Sequence, residues 1–265
     1  EIASCLVGSE MCIRDSVYSA RNTGLYYFIS DRPDKDFRFG GRIHSTSDVG
    51  MNGYSEEEPC YPMGNTHGGL VELNGRYYIF DHRHTNNSSF CRQGVAEQIN
   101  IDAQGLIAQV ESTSCGLNNG WLIGEGTYPA YIACVLYYEK TVPIDDRTAC
   151  ITQDGEDRES LPGQYIRGIS DGCIVGYRYF QGKELSNIRL TLRGRMKGTL
   201  YVTCHEEGGR MQDPEKIAVG SCICDIAAGD WEAITIPVQV RAGVYPLYFR
   251  FRGEGSLDLA EFTLE

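Results

Sequence analysis

No stretch of this 265-residue chain approaches the roughly 18 to 20 apolar residues of a membrane-spanning helix, so a membrane is not an expected partner. Basic residues are also scarce. Against 36 Asp and Glu there are 24 Lys and Arg, a formal charge of −12. Binding a nucleic-acid backbone requires a basic patch that displaces counterions, and the sequence shows none. Nucleic acid drops out as a partner, while neutral sugars stay compatible. The 11 cysteines lack any metal-binding spacing, and Cys222-Ile223-Cys224 reads as strand alternation with both thiols on one face. Mostly free thiols are expected, which tilts the expectation toward a reducing, cytoplasmic compartment.

What is abundant points to strands. The chain holds 17 Tyr and 31 Gly, with Gly and Asn-Gly recurring between short apolar runs, and 42% hydrophobic residues suffice for real cores. An all-β chain is expected. The organising stretch is 65–93, where apolar and aromatic runs at 70–73 and 76–82 flank Asn74-Gly75, the dipeptide most favoured in a two-residue type I′ hairpin turn. Gly68 and Gly69 leave His67 beside a backbone without side-chain bulk, where a ligand or another chain segment can come close. Further strands are expected at 17–19, 25–30, 40–43, 93–99 and 105–113. Asp31, Asp34 and Asp36 flank Pro33 and read as turn carboxylates, and Glu56-Glu57-Glu58 reads as a solvated charge run.

Residues 1–16 do not read as natural protein. Over 6–15 they follow one reading frame of a transposase sequencing adapter, so 1–16 are set aside as foreign sequence.

Asn65-Thr66-His67-Gly68-Gly69, then Asn74-Gly75-Arg76-Tyr77-Tyr78, Phe80, His82-Arg83 and Cys91-Arg92-Gln93-Gly94, resemble the later blades of family 43 glycoside hydrolases. The similarity continues through Thr113-Ser114-Cys115-Gly116-Leu117-Asn118 and Tyr128-Pro129-Ala130-Tyr131-Ile132-Ala133-Cys134. The resemblance implies a five-bladed β-propeller that hydrolyses arabinose- or xylose-containing plant polysaccharide with inversion. Residues 17–136 would supply about two of the five blades. By the same resemblance the catalytic carboxylates belong upstream of Val17, and this chain is expected to be inactive. His67 corresponds to the histidine near the propeller axis that helps hold a calcium or sodium ion, and Arg92 to an arginine at the pocket floor. Phe90 and Tyr61 are candidate sugar platforms; His82 and Arg83 are expected to pack within the strand.

Residues 137–148 are read as a connector, within a polar boundary that runs through 145–163. From 149 to 265 the chain is similar to a family 6 carbohydrate-binding module, a β-sandwich of jelly-roll type. The matching residues are Ile169-Ser170-Asp171-Gly172-Cys173-Ile174-Val175-Gly176-Tyr177-Arg178-Tyr179-Phe180, Gly229-Asp230-Trp231 and Gly243-Val244-Tyr245-Pro246. Alternation puts Ile188, Leu190 and Leu192 on one face, with Arg189, Thr191 and Arg193 on the other. Trp231 with Tyr177 or Tyr179 matches the aromatic pair that grips a sugar. The asparagine of the ligand loop is missing, and Leu257-Asp258-Leu259-Ala260-Glu261 stands in its place. The alternatives are a non-catalytic carbohydrate-binding protein and a structural β-protein.

Overall fold

A computed structural model of the chain describes residues 14–20, 23–64, 66–140, 148–155, 163–205 and 213–265. Residues 1–13, most of the expected foreign segment, lie outside the described residues, as does much of the polar boundary. Nearly all the regular structure is strand, and no helix among the described residues is long and apolar enough to cross a membrane. The chain divides into two units. One holds the residues up to His84 with Ser89–Ser112, the other Thr85–Ser88 with Thr113–Glu265.

The first unit contains two three-stranded antiparallel meanders. In the first, β1 (Arg14–Ala20), β2 (Gly24–Ser30) and β3 (Arg38–His44) pair in chain order. The period of two in β2 sends Leu25, Tyr27 and Ile29 inward, where they are 1, 0 and 3% exposed and join Val17, Ile43, Leu70, Ile79, Ile99 and Ile107 in one core. Tyr27 anchors that core twice over: its hydroxyl accepts from the Ile107 amide at 2.8 Å, and Gly40 leaves room for its ring, since a Cβ there would fall 2.1 Å from a ring carbon. The opposite face of the same sheet is aromatic as well. Tyr18 stacks on Tyr26 and Phe28, and Phe28 meets Phe39 edge-on at 5.7 Å, with Phe39 60% exposed.

The second meander comprises β4 (Gly69–Leu73), β5 (Arg76–Thr85) and β6 (Ser88–Ile99). Asn74 and Gly75 join β4 to β5 with φ of 54° and 75°, the two positive values that a type I′ turn requires. Asn86 and Asn87, at 55° and 46°, make a second turn with positive φ at both central residues, so β6 starts at Ser88 rather than near Gln93 as expected. Asn tolerates this region because its short amide can bond the local backbone. The strand expected at 105–113 does not form. That stretch makes a turn from Asp102 to Leu106 and single bridges at Ile107 and Val110.

The second unit is one nine-stranded sheet network. Its strands are β7 (Leu122–Ile123), β8 (Gly126–Pro129), β9 (Val135–Tyr138), β10 (Cys150–Asp154), β11 (Gly163–Ser170), β12 (Cys173–Gly182), β13 (Leu185–Thr203), β14 (Gly220–Val240) and β15 (Gly243–Leu264). The last three run 19, 21 and 22 residues, far beyond the usual strand, and they continue through register shifts such as that at Leu192/Gly194. β15 is the hub, pairing with β8, β11, β12 and β13. Between the layers Tyr128, Tyr177, Phe180, Phe249 and Phe262 form a continuous aromatic core. In β13, Ile188, Leu190 and Leu192 are all 0% exposed, the inward set that alternation requires.

The division of the chain differs from the expected one. β8 pairs with β15 and β9 pairs with β12, so 113–138 belong to the second unit and not to the blades ending at 136. The reason is hydrogen bonding: β12 and β15 offer open edges, and the short strands after Thr113 satisfy them.

Candidate functional site

The β4–β5 hairpin positions His67 just before its first strand. Gly68 is required there because a Cβ would sit 1.7 Å from the Phe80 carbonyl oxygen; what approaches this backbone is β5 itself. The His67 ring is exposed and lies parallel to that of His82, 6.3 Å away. Burial and the nearby Arg92 and His67 charges pull the His82 imidazole below its ordinary value, and burial, Arg92 and His82 do the same to His84. His67, His82, His84 and the exposed Arg92 therefore share one electrostatic neighbourhood. Nδ1 of His82 and Nε2 of His84 have no hydrogen-bond partner among the described residues. Phe90, on β6, is 92% exposed.

Under this face is a buried constellation that the sequence reading missed. Asp81 accepts from the backbone amides of His67 at 3.1 Å and His82 at 2.7 Å, and its other oxygen lies 3.1 Å from Nδ1 of His44. Nε2 of His44 is 3.1 Å from the Ser112 hydroxyl, which donates to the Ser45 carbonyl at 3.0 Å. With that hydroxyl proton directed at Ser45, Ser112 is an acceptor toward His44, and Asp81 is an acceptor on the other side. Both ring nitrogens of His44 then carry protons. Burial alone pulls this imidazole down, but the Asp81 hydrogen bond and the charges of Asp81, Glu97 and Asp48 outweigh it and leave it above its ordinary value. The Ser-His-Asp order invites a nucleophilic reading, yet the His44 and Asp81 side chains are 1 and 0% exposed and Ser112 turns its proton away from His44. The constellation fixes the amides that orient His67.

Arg83 and Tyr61 also sit below the surface. The Arg83 guanidinium donates twice to Oε1 of Gln93, at 3.0 and 2.8 Å, and covers the Tyr61 ring at 5.0 Å. Arg83 is thus strand packing, as expected. Tyr61, 2% exposed, is not a sugar platform. Among the described residues, the groups around His67 do not supply a set of oxygen donors for a cation. Calcium and sodium prefer oxygen ligands, whereas the ring beside His67 is another imidazole and Asp81 points inward to His44. Among the described residues no group of three or more His, Cys, Asp or Glu could hold a metal.

In the second unit the three aromatic candidates separate. Tyr177 is 0% exposed, packs on Phe249 and Phe262 and donates its hydroxyl to the Ala130 carbonyl at 3.0 Å, so it is core and not a binding residue. Tyr179 meets Trp121 edge-on at 5.2 Å, and Trp121 is 46% exposed. Trp231 meets Tyr165 edge-on at 5.5 Å, and the Arg193 guanidinium lies over both rings, 4.3 Å from Trp231 and 4.6 Å from Tyr165. Arg193 is itself clamped by Asp258 at 3.0 Å and by both oxygens of Asp154 at 3.3 Å. One face of Trp231 is therefore taken by a cation–π contact. Asp258, standing where the ligand loop lacks its asparagine, accepts from Arg193 and from the Gly168 amide.

No family model matches the chain. A xylosidase/arabinosidase of Thermoclostridium stercorarium is 39% identical over 249 residues, which make up 91% of this chain and 50% of that protein. The chain is a relative of that xylosidase/arabinosidase. It spans about half the length of the curated relative it matches. The resemblance to a family 43 hydrolase followed by a family 6 module stands with this relationship. Among solved structures, a glycoside hydrolase family 43 arabinoxylan arabinofuranohydrolase from Bacillus subtilis, in complex with cellotetraose, aligns over 95% of this chain and 51% of its own, at TM-score 0.49 and 13% identity. A family 6 module from Clostridium stercorarium, in complex with cellobiose, aligns over 56% of this chain and 98% of its own, at TM-score 0.42 and 14% identity.

Proposed function

We propose that this chain is part of an inverting glycoside hydrolase that acts on arabinose- or xylose-containing plant polysaccharide, with a carbohydrate-binding module in its second unit. The observation that carries this reading is the 39% identity over 249 residues to a xylosidase/arabinosidase. An exposed aromatic face on the β1–β3 meander fits it, since a sheet apolar on both sides is an interior layer. Inversion needs a base and an acid roughly 6.5 to 9.5 Å apart on either side of the sugar. The buried carboxylates of the first unit, Asp48, Asp81 and Glu97, are 0, 4 and 5% exposed, where no sugar reaches them. By the resemblance to family 43 hydrolases the catalytic pair belongs outside this chain, and on that reading the chain alone does not turn over glycosides. In the module the open face of Trp231 and the Trp121–Tyr179 corner are the surfaces that suit a sugar ring.

The test is hydrolysis of aryl α-L-arabinofuranoside and aryl β-xyloside by the purified chain, alongside the corresponding longer relative. Turnover by the longer protein and none by the chain is the expected result. Pentose release by the chain alone overturns the placement of the catalytic pair. Failure of arabinoxylan oligosaccharides to bind the chain in calorimetry overturns the module reading.

A further inference from the structure

A bulge in β14 presents Trp231. Leu192 pairs with Glu232 and Gly194 with Ala228, and between those pairs β13 has Arg193 alone while β14 has Gly229, Asp230 and Trp231. Extra residues of this kind bend a strand and re-aim a side chain. Trp231 is partly exposed, whereas Tyr165, the ring it meets edge-on, is 7% exposed. The Arg193 guanidinium carbon and the two ring centres form a triangle, with sides of 4.3 Å to Trp231, 4.6 Å to Tyr165 and 5.5 Å between the rings. Were Tyr165 against the far face of Trp231, the indole would stand between it and the guanidinium, and 4.6 Å would be out of reach. Both neighbours therefore lie on one side of the indole, and neither covers its other face.

Arg193 is held in that corner from two sides. Its Nε donates to Asp258 at 3.0 Å, and its two terminal nitrogens donate to the two oxygens of Asp154 at 3.3 Å each. Asp258 is fixed in turn, because its other oxygen accepts from the Gly168 amide at 3.1 Å. A loosely held indole samples several rotamers and must give them up when a ligand stacks on it. A ring already held loses less entropy on binding.

We propose that Arg193 is the positioning residue of a one-faced sugar platform: it holds Trp231, and the uncovered face of the indole stacks on a xylopyranose ring of a neutral oligosaccharide. The ring substituents of a β-linked xylose unit are all equatorial, so its faces are C–H surfaces that suit an aromatic plane. This assignment rests on the reading of the second unit as a carbohydrate-binding module. It departs from the expected grip between two rings, since Tyr177 is core and Tyr179 packs on Trp121.

Trp121→Phe leaves Trp231 as the one tryptophan of the full chain, and in that background xylohexaose is titrated by calorimetry while Trp231 fluorescence reports the ring. Trp231→Ala lowers affinity at least about 10-fold. Arg193→Lys keeps the charge but not the planar fork that joins two carboxylates, so it weakens binding roughly 3- to 10-fold and raises acrylamide quenching of Trp231 with no sugar present. Added to Trp231→Ala, Arg193→Lys costs nothing more, because Arg193 acts through the indole. Asp154→Asn loosens the same clamp, moves affinity and quenching in the same directions, and stands in if Arg193→Lys lacks the parent's circular dichroism. Unchanged affinity or unchanged quenching in these clamp variants overturns the proposal, as does a further loss when Arg193→Lys is added to Trp231→Ala. Absence of xylohexaose binding to the wild-type chain instead overturns the module reading, and the platform with it.

Discussion

Replacing Asp81 by Ala removes one carboxylate that serves two backbone amides and the buried His44 imidazolium. Each amide left without an acceptor costs about 1 to 3 kcal/mol, and breaking a buried ion pair from one side costs about 3 to 5 kcal/mol. These terms overlap, because His44 sheds its proton once Asp81 is gone. A net loss of roughly 3 to 5 kcal/mol is expected, a large share of the 5 to 15 kcal/mol that holds a typical domain together. The two tryptophans, Trp121 and Trp231, both lie in the second unit, so their fluorescence follows that unit, whereas tyrosine signals in the near-ultraviolet circular dichroism follow both. In urea, Asp81→Ala should move a tyrosine transition to lower denaturant and leave the tryptophan transition in place. A loss below about 1 kcal/mol, or a shift confined to the tryptophan transition, refutes the assignment of Asp81 as the tie between β5, His67 and His44.

The first unit's stability should also depend on pH through His44. Its folded value is raised, so its contribution is full below the unfolded value near 6.5 and is lost as pH rises through the higher folded one; Asp81→Asn should flatten this slope in urea titrations between neutral and alkaline pH. Tyr177→Phe should cost about 1 kcal/mol in thermal unfolding, for the bond to Ala130, and leave oligosaccharide affinity unchanged; a lost affinity would return Tyr177 to the binding surface. Gly68→Ala should destabilise the first unit by at least about 1 to 3 kcal/mol, because its Cβ must displace the Phe80 carbonyl. Residues 113–265 expressed alone should unfold cooperatively, whereas 149–265 should be weaker, since they lose Val135 and Leu136, now 0 and 2% exposed and each worth roughly 1.5 to 3 kcal/mol. Equal midpoints for the two fragments would move the boundary back toward 149.

Much of the local structure is legible in the residues. Asn74-Gly75 dictates its own turn because Asn and Gly accept positive φ more cheaply than most residues, and the alternation of Ile188, Leu190 and Leu192 dictates which side of β13 is buried. Asn86-Asn87 carries the same signal and makes a turn with positive φ at both residues. The resemblance in the blade-like motifs and in the module agrees with the relationship to a xylosidase/arabinosidase.

Accessibility and long-range partnership lie beyond that reach. Alternation tells which residues share a face but not whether a layer covers it. β12 shifts register against β15 between Tyr177 and Phe180, so both of these meet Phe262 in the core while Tyr179 between them remains partly exposed beside Trp121. Arg193, Tyr165 and Trp231 come from three different strands, and nothing in any one of them announces that a guanidinium will occupy the aromatic corner. His44 and Asp81 are 37 residues apart, and only the folded core brings the imidazole to the carboxylate that holds its proton against the cost of burial. Residues 113–138 have strand-forming sequences, but strand propensity does not choose a partner. That choice goes to the sheet edges whose amides and carbonyls would otherwise stay unpaired, here those of β12 and β15.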